Sequence, residues 1–248
     1  MKPETREAAI THAIAAYPAE SCGLVVNVNG VERYYACRNT ATSKNDQFRL
    51  DPEDYAEAED AGEIIAVVHS HPDAAPRPSE ADRVSCEASG LPWYIYSVHR
   101  NDDGVVAYFG EDAIEPTGYE APLIGRPFAH GVLDCFALIR DWYRRERGIE
   151  IQNYDRTDNW WLRGENLYIK HYEEAGFEVA KGPLQVGDII IMQIRAPEPN
   201  HAGVYIGDGL FLHHLYGRLS SRDVYGGYWK ENTRLIVRRK NDPKDQDG

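Results

Sequence analysis

Apolar residues recur along the chain at helical spacing in some stretches and alternate or run together in others. Residues 4–16 carry Ala8, Ile10, Ala13, Ile14 and Ala16 and stop before Pro18, which predicts a short helix. Residues 22–28 and 31–37 read as strands joined at Asn29-Gly30, a pair suited to the positive φ angles of a tight hairpin. An acidic helix is expected over 52–61, after Asp51. The apolar run 64–69 predicts a buried strand, 79–89 a helix, and 93–98 and 105–109 two more strands. Periodicity then fades. Pro116, Gly118, Pro122, Gly125 and Pro127 mark 113–127 as a linker between a domain over 1–112 and a second over 128–240. In the second domain, residues 135, 136, 138, 139, 142 and 143 form a helical face over 135–146. Residues 160–175 predict another helix, and 189–194, 202–206, 210–212 and 235–239 predict strands. The charged tail 241–248 is expected to be disordered.

Composition narrows the function classes. Hydrophobic residues make up 42% and charged residues 27%, an ordinary soluble, globular balance. No apolar run approaches the roughly 18 residues of a membrane span, and no secretory signal is visible. The net charge is −13, and it sits in the first half: residues 1–120 hold 9 basic and 22 acidic side chains, whereas the remainder balances. Such a surface repels phosphate backbones, so no nucleic-acid partner is expected. Cys22, Cys37, Cys86 and Cys135 are few and widely spaced, which predicts reduced thiols and no disulfide framework.

The first candidate chemistry lies at the end of the 64–69 strand. His69 and His71 are two apart, so both imidazoles project to one face and can hold one ion. Pro72 would end the strand. Asp82, near the start of the next helix, can supply a carboxylate ligand, leaving a fourth position open, the arrangement of a catalytic zinc. Glu20, between the first helix and first strand, can come to lie beside that strand end as a proton shuttle. Ser79 can donate to a developing oxyanion, or it can be a helix cap and nothing more. The segment Pro18-Ala19-Glu20-Ser21-Cys22-Gly23-Leu24, then His69-Ser70-His71-Pro72, then Ser79 and Asp82, resembles the JAMM metalloproteases over residues 1 to 110. That resemblance implies an α-β-α fold, Glu20 as base, His69, His71 and Asp82 as zinc ligands, and Ser79 supporting the oxyanion. It also implies cleavage of peptide or isopeptide bonds, often beside ubiquitin-like folds.

The second candidate is Cys135, at a helix start, where backbone N–H groups and the helix dipole favour a thiolate and predict a depressed pKa. His201 is the expected base and His213 the group that orients it. If the turn after His201 contained two residues and no irregularity, the histidines would face opposite ways. Their sharing a face requires an odd loop or a bulge near Gly207-Asp208-Gly209, pairing residue 203 with 213 and placing one glycine at positive φ. The aromatic run Tyr154, Trp160, Trp161, Tyr168 and Tyr172 reads as core or helix face, with a platform flanking the thiol cleft as the alternative. Gly131-Val132-Leu133-Asp134-Cys135, Leu184 with Gly187-Asp188, His201-Ala202-Gly203-Val204-Tyr205-Ile206-Gly207 and Phe211-Leu212-His213 resemble the NlpC-type cysteine peptidases over residues 120–240. The resemblance implies a papain-like core acting on cell-wall peptides, with Cys135 as nucleophile, His201 as base and His213 as orienter. One departure is visible: Phe128 stands where many members have a tyrosine whose hydroxyl helps the oxyanion, and His130 is the nearest polar neighbour.

The fold class is therefore α/β plus α+β, a JAMM-type domain followed by a papain-like NlpC-type domain. That order resembles the tail assembly protein K family of long-tailed bacteriophages. It implies a bifunctional, zinc-dependent peptidase made in the host cytoplasm and acting at the virion tail tip. Peptidoglycan peptide and other tail-tip proteins, among them a ubiquitin-like one, are the implied partners. A structural or assembly component that retains the folds without turnover is the alternative.

Overall fold

Successive residues of a strand point to opposite sides, and that alternation builds three layers in the first half of the chain. The computed structural model describes residues 1–242, in two units, Met1–Glu120 and a second from Ala121 onward. The first unit runs α1 (Pro3–Ala16), β1 (Cys22–Val28), β2 (Val31–Cys37), α2 (Pro52–Ala61), β3 (Glu63–Pro72), α3 (Glu80–Ser89), β4 (Trp93–Arg100) and β5 (Val106–Ile114). Asn29 and Gly30 take φ of 51° and 84°, so the β1–β2 turn is the primed hairpin their chemistry suits. The sheet order is β2-β1-β3-β4-β5, antiparallel except for β3 and β4, which run parallel with α3 as their crossover. Cys22, Leu24, Val26 and Val67 pack with Ala58 of α2 and Cys86 of α3. The intervening Val25, Ala66 and Val68 pack with Ala9 and Ala13 of α1 on the other side. An α-β-α sandwich results. It carries His69 and His71 to the end of β3 on the side of α2 and α3.

The second unit contains α4 (Cys135–Arg147), a 3-10 turn (Trp160–Arg163), α5 (Leu167–His171), β6 (Phe177–Val179), β7 (Ile189–Met192), β8 (His201–Gly207), β9 (Leu210–His213), β10 (Ser221–Val224), α6 (Gly227–Glu231) and β11 (Thr233–Arg239). Its sheet is antiparallel throughout, in the order β10-β9-β8-β7-β11-β6. Leu138, Ile139, Trp142 and Tyr143 of α4 bury against Ile189, Ile191, Ala202, Val204, Leu212 and Val237. The turn before β7 is closed by Asp188, which accepts from Gln185 N (2.9 Å) and pairs with Arg238 (2.7 Å). The Gly187-Asp188 motif is thus a structural clasp.

Several expectations change. Residues 160–175 are not one helix: Gly164 adopts φ 77° after the 3-10 turn, and Asn166 caps the short α5. A single glycine in the left-handed region outweighs the apolar periodicity on either side. β6, β10 and α6 were not anticipated, since Ser221–Val224 is an edge strand of mostly polar residues with no apolar alternation to read. In the 113–127 segment, Glu87 accepts the backbone N–H of Thr117 (2.6 Å), Gly118 (3.0 Å) and Tyr119 (2.9 Å) within the first unit. Within the second unit, Gly125 donates to Ser220 O (2.8 Å), and the buried Arg126 pairs with Asp141 (2.5 Å). Of the tail, Asp242 is buried and lies 3.4 Å from Arg147; residues 243–248 lie outside the described residues.

Candidate active sites

At the end of β3, three donor atoms converge. His69 Nε2 lies 3.1 Å from His71 Nε2 and 3.2 Å from Asp82 Oδ1, and His71 Nε2 lies 3.4 Å from Asp82 Oδ2. Around an ion bound at about 2.0–2.1 Å, tetrahedral ligand atoms are about 3.3–3.4 Å apart. The observed spacing fits that set, and two nitrogens with one carboxylate is a donor chemistry zinc accepts. His71 Nδ1 bonds to the Ala75 carbonyl (3.0 Å); donating there fixes the tautomer that leaves Nε2 with a free lone pair. Phe48 stacks on His69 at 4.7 Å and Trp93 meets it edge-on at 5.5 Å, fixing the ring.

Charge in this cluster is set by burial and by one carboxylate. Burial holds His69 below its usual pKa, keeping it neutral. Burial also lowers His71, but Asp82 and the Ala75 carbonyl outweigh it and the net shift is upward. Burial would raise Asp82, yet the two histidines beside it hold its carboxyl far below the carboxylate range. Glu20 is buried and its pKa is pushed up to about 8 by that burial; His71 opposes the shift. No hydrogen bond joins Glu20 to the three donors among the described residues. A cleft of about 340 Å3, lined in part by His12, Glu20, Ser21, Asn39 and Lys44, opens beside it. Ser79 is the N-cap of α3 in a reciprocal box: its Oγ accepts from Asp82 N (3.1 Å), and Ser79 N donates to Asp82 Oδ2 (2.7 Å). An accepting Oγ keeps its own proton, so capping and oxyanion donation are compatible. The cap also aims Asp82 at the histidines, joining local helix chemistry to the ligand set.

In the second unit Cys135 opens α4 and Asp134 caps it, accepting from Ala137 N (2.9 Å). The other Asp134 oxygen accepts from Gly131 N (2.9 Å), and Arg156 binds both oxygens, Nε at 2.7 Å and Nη2 at 3.0 Å. Arg156 reaches on to Asn153 Oδ1 and the Tyr154 carbonyl, both 2.8 Å, tying the 153–156 loop to the start of the helix. Both members of the pair are nearly inaccessible to water. Arg156→Ala leaves a buried carboxylate unpaired and is expected to cost about 3–5 kcal/mol. Urea unfolding measures it, and a loss below about 1 kcal/mol would contradict the assignment.

His201 Nε2 is 3.0 Å from His213 Nδ1, and His213 Nε2 is 3.2 Å from Asp223 Oδ2 of β10. The strand register is the one this contact requires. Gly203 pairs with His213, and a bulge between Tyr205 and Gly207 shifts the register before a two-residue turn at Asp208-Gly209. Gly207 and Gly209 take φ of 96° and 72°. Trp229 closes over His213, ring to ring at 4.6 Å. Sequence reasoning missed Asp223 as a neighbour of His213, because it sits on the strand that carried no apolar signal.

The expected depressed thiol pKa is corrected. Burial, and then the adjacent Asp134 charge, push Cys135 up to about 11. Burial, with His213 and His214 nearby, holds His201 at about 3. The resting pair is thus thiol and neutral imidazole. Among the described residues Cys135 Sγ meets the Tyr168 hydroxyl (3.1 Å) and the Ala202 N–H, one residue from His201, but no hydrogen bond to His201 itself. Alkylation of Cys135 by a neutral reagent should climb about tenfold per pH unit from about pH 6 to about pH 10, followed by mass of the labelled peptide. A rate already level by about pH 7 would overturn this. Phe128 packs edge-on against His214 and Tyr216, and His130 Nε2 lies at the Arg156 carbonyl (3.2 Å), so neither serves the thiol.

Comparison with known proteins adds to this geometry. Residues 2–109 match the prokaryotic homologues of the JAB domain, and residues 125–238 match the NlpC/P60 family. The chain is 45% identical over 242 residues to the tail tip assembly protein K of Escherichia phage N15, covering 97% of this chain and 96% of that one. The chain belongs to the tail tip assembly protein K family. A second K protein, from Escherichia phage lambda, is 38% identical over 192 residues, covering 77% of this chain and 89% of the relative. The crystal structure of the NlpC/p60 domain of the peptidoglycan hydrolase SagA is 18% identical, with a TM-score of 0.32 over 47% of this chain and 89% of that one. That likeness is too slight to carry weight. As a K-family chain, this is a phage tail protein with a JAB-like and an NlpC/P60 domain. Among its described residues no helix is long and apolar enough to cross a membrane.

Proposed function

We propose that this K-family chain is a two-site hydrolase of the tail tip, with a metallopeptidase domain over 1–112, a connecting segment and a cysteine peptidase domain over 128–240. The thiol site, Cys135 with His201 and His213, cleaves peptidoglycan stem peptides. The metal site, His69, His71 and Asp82 with Glu20 and Ser79, cleaves a peptide or isopeptide bond in a protein, for which a ubiquitin-like tail component is the proposed substrate. Synthesis in the host cytoplasm and placement at the virion tail tip follow from that role.

The observation that carries the thiol half is the His201–His213 contact beside a helix that opens on Cys135. In the reaction, Sγ attacks the scissile carbonyl while His201 takes the thiol proton, then returns it to the leaving amine. His213, held by Asp223, steadies the ring and its developing charge. The reading requires an Sγ–His201 hydrogen bond to form when substrate binds, since catalytic hydrogen bonds are commonly made only in the complex. At the other site, zinc would supply Lewis acidity and a more acidic water. Glu20 would shuttle the proton, Ser79 would donate to the oxyanion, and His69, His71 and Asp82 would hold the ion.

A peptidoglycan digest resolved by mass, run in parallel with wild type, Cys135→Ala and Glu20→Ala, tests the division of labour. Stem-peptide fragments should appear with wild type and Glu20→Ala and vanish with Cys135→Ala. A wild type that releases nothing would favour the alternative, an assembly component in which the thiol rests against Tyr168 without turnover.

A further inference from the structure

We propose that Tyr168 is a catalytic residue of the thiol site, its phenol holding Cys135 Sγ in the resting protein and donating to the oxyanion once the sulfur attacks. This rests on the peptidase reading of Cys135. Tyr168 Oη lies 3.1 Å from Sγ, the one side-chain hydroxyl on the thiol among the described residues. Phe128, where a hydroxyl was expected, packs elsewhere. The Tyr168 ring is wedged between Phe136 (6.3 Å) and Trp160 (6.0 Å), both edge-on. Its helix is fixed by Asn166, which caps Ile169 N and donates to Glu198 (2.8 Å). The hydroxyl is therefore positioned by packing and by a cap, not by the thiol alone.

The chemistry balances without a further reagent. Sγ forms the S–C bond, the carbonyl π pair moves to oxygen, and the thiol proton goes to His201. Tyr168 neither gains nor loses a proton, and its O–H swings from the spent sulfur to the new oxyanion. The C–N bond then breaks, the amine leaves with the proton from His201, and water cleaves the thioester. Burial pushes the Tyr168 phenol well above its ordinary value, so it remains a donor throughout.

The test is Tyr168→Phe, which preserves the packed ring. Alkylation of Cys135 should shift to higher pH by about one unit, since a donor to the charged sulfur is lost. Stem-peptide kcat should fall about 10²–10³-fold, as for loss of one oxyanion donor, with KM changed less than about threefold. An unchanged labelling profile, or a kcat within about twofold of wild type, would overturn the proposal. Labelling needs no turnover. If wild type releases no fragments, the peptidase reading fails, and the labelling shift still decides whether Tyr168 governs the thiol.

Discussion

Cys135→Ala should abolish stem-peptide release, by at least about 10⁴-fold in kcat, with little change in stability. No other residue can replace it. Cys22, Cys37 and Cys86 are buried in the other unit, and burial pushes Cys22 and Cys37 up to about 12. Sγ contributes only its contacts to Tyr168 and the Ala202 N–H, while α4 is held by its cap and apolar face, so the fold does not depend on the sulfur. His201→Ala should fall to a similar level, because residues acting as one unit give non-additive losses. The measurement is fragment release against enzyme concentration, with thermal melting as the fold control. Residual activity above a hundredth of wild type in Cys135→Ala would move the murein chemistry to another group.

The second large effect is on metal content. Wild-type protein should carry about one zinc per chain, and His69→Ala combined with His71→Ala should carry none. Two of the three converging donors are then gone, and a lone carboxylate does not hold zinc against water. Loss of the ion also removes its contribution to stability, about 4 kcal/mol when free zinc exceeds its dissociation constant about a thousandfold. Chelation should therefore lower the wild-type melting temperature and leave that of the double variant unchanged. Emission spectroscopy for zinc, beside melting curves with and without chelator, reads both. Equal zinc in the two proteins would remove the assignment.

Much of this was legible in residue order. The Asn29-Gly30 turn, the helices after Asp51 and Ser79, and the parity of His69 and His71 all follow from local rules. The need for an odd loop or a bulge near Gly207–Gly209 also followed from counting residues between His201 and His213. Tyr168 was not legible, since it belongs to an aromatic run that reads as core, and Gly164 breaks the helix that its spacing suggested. Asp223 and Arg156 were hidden because a charged side chain on an edge strand or in a loop carries no periodic signal. The thiol pKa went wrong for a similar reason: helix position favours ionisation locally, but burial and Asp134 act through the folded surroundings.

The sequence by itself determined most elements of the first unit, the family and the identity of the main candidate side chains, because turns, caps and strand parity are properties of neighbouring residues. Tertiary structure decided what those side chains meet. It brought His69, His71 and Asp82 within 3.4 Å of one another, gave His213 its Asp223, and set Tyr168 rather than His201 against the thiol. Distances across a sheet and the cost of burying charge depend on residues far apart in the chain, and spacing along it does not report them.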